Sequence, residues 1–127
     1  MNTRPIAYIK CALDGKFGSP RQSGLVPELK GEIHFTEEFR RSEALRGLED
    51  FDYIWLLWEF SDNRETGFHT TVRPPRLGGN VRLGVFGTRS PYRPNPIGLS
   101  SVRVESVDFE KCILHVSGAD LIDGTPI

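Results

Sequence analysis

Residues Leu77–Ser100 read LGGNVRLGVFGTRSPYRPNPIGLS, with Arg82, Arg89 and Arg93 alternating with glycines, prolines and small hydroxyl residues. Pro91, Pro94 and Pro96 each lack an amide donor and restrict the residue before them, so this stretch is not a helix. The pattern predicts a strand over Arg82–Phe86, a proline-stiffened loop, and a second strand leaving from Ile97. A loop rich in arginine, with backbone angles fixed by proline, is organised to grip an anion.

On either side of this loop the chain again reads as short strands. Ile6–Leu13 (IAYIKCAL) is rich in β-formers and ends at the Asp14-Gly15 turn signal. An irregular loop, KFGSPRQSGLVP, follows. Leu29–Phe35 alternates in the manner of a half-buried strand. Thr36 is placed to cap a short helix, with Glu37 and Glu38 in its first turn opposing the positive end of the dipole. That helix carries Phe39, Ala44, Leu45 and Leu48 and is interrupted near Gly47. Tyr53–Phe60 (YIWLLWEF) is aromatic, β-branched and apolar on both faces, which predicts a central strand. Trp55 and Trp58 are accordingly expected in the core.

His69–Val72 is a short strand before Pro74-Pro75. Gly98–Val107 and Ile113–Ser117 are strands joined by a turn at Phe109–Lys111. Six or seven short strands, one short helix, and 13 glycines with nine prolines predict an all-β chain, a small antiparallel β-barrel. There is no βαβ alternation, internal repeat or low-complexity linker. Gly78, Gly79 and Gly84 do not fit GxGxxG and no long helix follows them. A nucleoside cofactor would therefore be held by loops on a sheet.

At 127 residues, with 38% hydrophobic and 26% charged residues, the chain fits one globular domain. The longest apolar run, Ile54–Trp58, is far too short to span a membrane, and MNTRPIAYIK is no secretory signal. A cytoplasmic protein is expected. Cys11 and Cys112 are read as two free thiols, with a disulfide as the alternative. No CxxC, HxxxH or EF-hand pattern points to a metal, and His34, His69 and His115 have no ligand spacing.

The net charge of −1 argues against a nucleic-acid partner, but its distribution does not. Between Thr66 and Val104 stand six arginines and no aspartate or glutamate. They either pair with the acids of Glu28–Asp62 and Asp108–Asp123 or form a face for phosphates. Twelve arginines against four lysines favour a planar, bidentate grip.

TVRPPRLGGN at Thr71–Asn80, GVFGTRSPYRPNPIGLS at Gly84–Ser100 and DGTPI at Asp123–Ile127 together resemble one family over nearly the whole chain. It is the TsaA-like family of S-adenosylmethionine-dependent tRNA N6-methyltransferases, called TrmO. The resemblance implies a small β-barrel, a homodimer with its cofactor near the interface, and N6-methylation of threonylcarbamoyladenosine just 3′ of a tRNA anticodon. It also implies a single TsaA-like domain over residues 1–127, ending short of the family's usual C-terminus. The exposed-looking aromatics Phe17 and Phe68 are the sequence's own support for a dimer.

By the same resemblance, S-adenosylmethionine is bound by Pro20, Arg21 and Gln22, by the positions of Ser61 and Asp62, by Arg89, by the backbone near Leu99, and by Asp123, Gly124, Thr125 and Pro126. Ser61 and Asp62 depart from the histidine and amide of many relatives, and that departure favours the competing reading, a non-enzymatic RNA- or cofactor-binding module. Arg73, Arg76, Arg93 and Asn95 are candidates for tRNA backbone and base edges. Tyr92 either stacks on a splayed base or packs in the barrel. No catalytic residue is assigned; Asp62 and Asp123 are the carboxylates to test as a base.

Overall fold

A computed structural model describes residues 2–11, 29–60, 67–74 and 78–127. The chain divides into two compact units, one of Met1–Trp58 with Leu99–Ile127 and the other of Glu59–Gly98.

In the first unit, alternation along each strand builds the core. In β1 (Ala7–Cys11), Ala7 and Ile9 are buried while Tyr8 and Lys10 are exposed, as a two-residue period requires. β2 (Lys30–Phe35) pairs antiparallel with β1, Ala7 opposite Phe35 and Cys11 opposite Gly31. β3 (Tyr53–Glu59), β6 (Ile97–Asp108) and β7 (Ile113–Ser117) complete a curled, half-barrel sheet in the order β1-β2-β7-β6-β3. Ile9, Ile33, Leu56, Val102, Leu114, Val116 and Leu121 form one cluster. Each such side chain contributes about 1.5–3 kcal/mol by leaving water. β6 carries an irregularity between Val104 and Ser106, which inserts Glu105 without losing the inward alternation.

The all-β class, the antiparallel pairing and the single short α-helix, α1 (Ser42–Leu45), are as the sequence predicts. The helix is shorter than its pattern. A 3₁₀ turn at Glu37–Phe39 precedes it and another at Leu48–Asp50 follows Gly47, whose φ of 95° stops the helix. Thr36 does not cap; its hydroxyl donates to the Ile6 carbonyl at 3.3 Å.

β3 requires a correction. It lies at the end of the strand order rather than the centre, and Trp55 is 76% exposed, with Tyr53 and Leu57 on the same side also exposed. Hydrophobicity on both faces predicts double burial, whereas here one face is core and the other an open apolar stripe. Trp58 points the other way, and its Nε1 donates to Ser100 Oγ at 3.0 Å, which in turn donates to Asp120 Oδ1 at 2.9 Å. Ser100 is 1% exposed, so the polar chain satisfies groups that burial would otherwise penalise.

The other edge of the sheet is covered by the C-terminal residues. Ile127 N–H donates to the Ala7 carbonyl at 2.9 Å, Ile9 N–H to Thr125 at 3.2 Å, and Gly124 N–H to Ile9 at 2.8 Å. Tyr8 bridges Pro126 in antiparallel sense. Both cysteines are free; Cys11 Sγ donates to the Leu121 carbonyl at 3.2 Å.

The second unit holds a two-stranded sheet, β4 (Thr71–Val72) with β5 (Leu83–Gly84). The strand expected over Arg82–Phe86 is cut to two residues because Val85–Gly87 winds into a 3₁₀ turn. No helix among the described residues is long and apolar enough to cross a membrane.

Candidate functional site

Thr88–Arg93, the centre of the opening motif, is braced by its own side chains. Thr88 Oγ1 donates to the Val85 carbonyl at 2.8 Å and accepts from Ser90 N–H at 3.1 Å. Tyr92 N–H donates to Ser90 Oγ at 3.3 Å. These are the local bonds that serine and threonine offer a backbone outside regular structure. Arg93 closes the loop, donating to the Thr88 carbonyl at 2.8 Å and to the Val85 carbonyl at 3.4 Å. Its expected reach to RNA thus competes with a loop-tying role already filled. Arg89 stands exposed on the same turn, and Arg73 and Asn95 are also exposed.

Tyr92 lies flat against His69, their ring centroids 4.2 Å apart and planes at 2°. His69 N–H also donates to the Tyr92 carbonyl at 2.9 Å. Lacking any ligand spacing, His69 gave no sign of this in the sequence. A second ring pair joins Phe68 and Phe86, with centroids 6.1 Å apart and planes at 18°. Arg82 donates to Thr71 Oγ1 at 2.7 Å across β4 and β5.

In the first unit the DGTP turn is placed by its bonds to β1. Asp123 Oδ1 accepts from Cys11 N–H at 2.9 Å. Gly124 holds φ +86° with open space where a Cβ would stand. Thr125 and Pro126 are buried, and the Thr125 hydroxyl donates to the Ile122 carbonyl at 2.6 Å. Thr125 and Pro126 therefore set the turn, while Asp123 and Gly124 are exposed. Leu99 is half exposed on the outer side of β6.

Pro20, Arg21, Gln22, Ser61, Asp62 and Arg76 lie outside the described residues. A separate open groove of about 440 Å³ on the first unit is lined by Lys10, Lys30, Glu32, Glu105 and His115. His34 bonds to Glu32 of this groove at 2.8 Å and holds its carboxyl below the usual range, against a smaller opposing effect of burial. No cluster of described residues fits a metal.

Antiparallel strands without a βαβ crossover, no GxGxxG turn and an acid-free arginine loop define a small all-β protein. Its family is narrower. Residues 8–127 match the model of the tRNA-methyltransferase O N-terminal domain, and the chain belongs to that family. It is 48% identical over 124 residues to the tRNA (adenine(37)-N6)-methyltransferase of Escherichia coli, covering 96% of this chain and 53% of that protein. It is 48% identical over 123 residues to a putative S-adenosylmethionine-dependent methyltransferase of Pseudomonas aeruginosa, covering 97% and 52%. The crystal structure of TrmO from Pseudomonas aeruginosa superposes with a TM-score of 0.79 at 37% identity, covering 99% of this chain and 52% of that one. The chain thus spans about half the length of these relatives.

Proposed function

We propose that this chain is the methyl-transfer domain, one TsaA-like domain, of an S-adenosylmethionine-dependent tRNA methyltransferase acting on N6 of adenine 37. Its preferred substrate in this reading carries threonylcarbamoyladenosine at that position, and it works as a cytoplasmic homodimer. The observation that carries the reading is the arginine loop, in which a motif matched over the whole family segment is braced by Thr88, Ser90 and Arg93.

S-adenosylmethionine supplies an activated methyl group when bound. The exposed Asp123 carboxylate and the open backbone at Gly124 suit a ribose or an amino group; Leu99 and Arg89 are assigned to the cofactor by resemblance alone. Pro20, Arg21, Gln22, Ser61 and Asp62 are assigned to the same ligand by resemblance alone. The protein's main task is to hold nucleophile and methyl within roughly 3–3.5 Å of each other. An acyl-type substituent makes the adenine N6 proton more acidic, so a strong general base is unnecessary. An arginine of this loop, Arg89 or Arg93, pairs with the threonyl carboxylate in this reading. Arg73, Arg76 and Asn95 contact the tRNA backbone in this reading.

The homodimer is supported by the stripe of Tyr53, Trp55, Leu57 and Leu99.

Tritiated S-adenosylmethionine and purified tRNA test the activity. Label is expected in tRNA that carries threonylcarbamoyladenosine and not in the unmodified transcript. Label in the transcript alone overturns the proposed substrate, and no label in either overturns the activity.

A further inference from the structure

We infer that Phe86 is a stacking platform for a splayed base of the RNA loop that carries the target adenine. The inference rests on the RNA substrate proposed above and adds a recognition residue that the motif comparison does not assign. Phe86 sits in the 3₁₀ turn Val85–Gly87, where Val85 is buried and Phe86 is 69% exposed. An aromatic ring left that open contributes little to its own unit's core.

The ring is nevertheless held. Phe68 stacks beside it at 6.1 Å, and the Arg93 guanidinium lies 5.8 Å from its centroid. That guanidinium is itself fixed by the Val85 and Thr88 carbonyls of the same turn. An exposed ring already fixed in orientation loses little freedom on binding, which is what a preorganised contact requires. Arg93 also polarises the ring from one side, and a nucleobase offers a matching π-face.

Charge selects the occupant. Residues 67–98 contain no aspartate or glutamate, and Arg73, Arg82 and Arg89 are exposed there. A polyanion with flat bases satisfies both the cations and the ring. A second copy of this acid-free unit would satisfy only the ring and would repel the arginines. Single-stranded loops are read by aromatic stacking, with cations on the phosphates.

The test uses the full chain with a fluorescein-labelled anticodon stem-loop RNA, followed by anisotropy and by methyl-transfer kinetics on tRNA. Phe86→Leu, which keeps apolar bulk and removes the π-face, is expected to raise Kd and KM about tenfold. S-adenosylmethionine binding and kcat should stay close to wild type. Phe86→Trp should restore affinity. The slope of log Kd against log salt should be unchanged in Phe86→Leu but smaller by about one in Arg73→Gln, which removes a phosphate contact.

Equal RNA affinity for wild type and Phe86→Leu overturns the inference, as does a change confined to sedimentation, which would assign the ring to a protein contact. Binding with the expected pattern but no methyl transfer leaves the inference standing and removes the proposed activity. Methyl transfer that is indifferent to Phe86 does the reverse.

Discussion

Asp123 Oδ1 accepts a hydrogen bond from the Cys11 backbone amide at 2.9 Å, tying the DGTP turn to the end of β1. This bond and the backbone pairs from Ile6, Ala7 and Ile9 lay the last residues along the first strand. The carboxylate therefore has a structural task beside its proposed ligand role, and the two are separable.

Asp123→Asn keeps the acceptor and removes the charge. It is expected to leave urea stability within about 0.5 kcal/mol of wild type while weakening S-adenosylmethionine binding by calorimetry. Asp123→Ala removes both and should cost roughly 1 kcal/mol of stability, the value of one partly exposed charge-assisted bond. If Asn binds the cofactor as tightly as wild type, Asp123 is a structural residue only.

Ser100→Ala breaks the chain from Trp58 to Asp120. Ser100 is 1% exposed, so two bonds are lost in a buried setting. A destabilisation of about 1–3 kcal/mol is expected, read as a lower urea midpoint at constant slope.

Arg93→Lys retains the cation but replaces the planar guanidinium, whose Nη1 donates to both the Val85 and Thr88 carbonyls, with a shorter-reaching ammonium. Amide exchange of Thr88, Ser90 and Tyr92 should quicken, and methyl transfer should fall. Arg89→Lys is expected to lower methyl transfer as well. Exchange in Arg93→Lys equal to that of wild type would show that Arg93 is not the brace.

Trp55→Ser should shift sedimentation velocity from dimer toward monomer without lowering thermal stability at monomeric concentrations, because the side chain is 76% exposed. A monomeric wild type at micromolar concentration would remove the dimer from the proposal.

Glu105 accepts a hydrogen bond from the Ser117 hydroxyl, and this holds its carboxyl below the usual range; burial opposes the shift, while Lys30 and Arg103 reinforce it. A depressed folded-state pKa means that the unfolded chain takes up the proton first on acidification. The contribution is therefore full above the unfolded glutamate range and is lost as pH falls through the lower folded value. Glu105→Gln should melt below wild type at neutral pH, and the two curves should converge in acid. Parallel curves down to pH about 2 would contradict this.

Strand positions were legible wherever one face alone met the core. Alternation over Leu29–Phe35 placed β2, found at Lys30–Phe35, within one residue, because burying every second side chain forces that pattern. Tyr53–Phe60 misled because an apolar face turned to solvent looks the same in sequence as one turned inward. Arg93 and Arg89 share one composition and one motif. Only the fold brings the Val85 and Thr88 carbonyls to the Arg93 guanidinium. His69 carried no signal, since its partner Tyr92 comes near only through the fold.

By itself the amino-acid order determined the all-β class, the proline-fixed arginine loop and membership of the motif family, because dihedral limits and residue period are local properties. The tertiary structure decided which aromatic faces stay open, which carbonyls Arg93 engages, and that the final residues close the β1 edge. Those outcomes depend on contacts between distant segments, and local chain chemistry does not encode them one at a time.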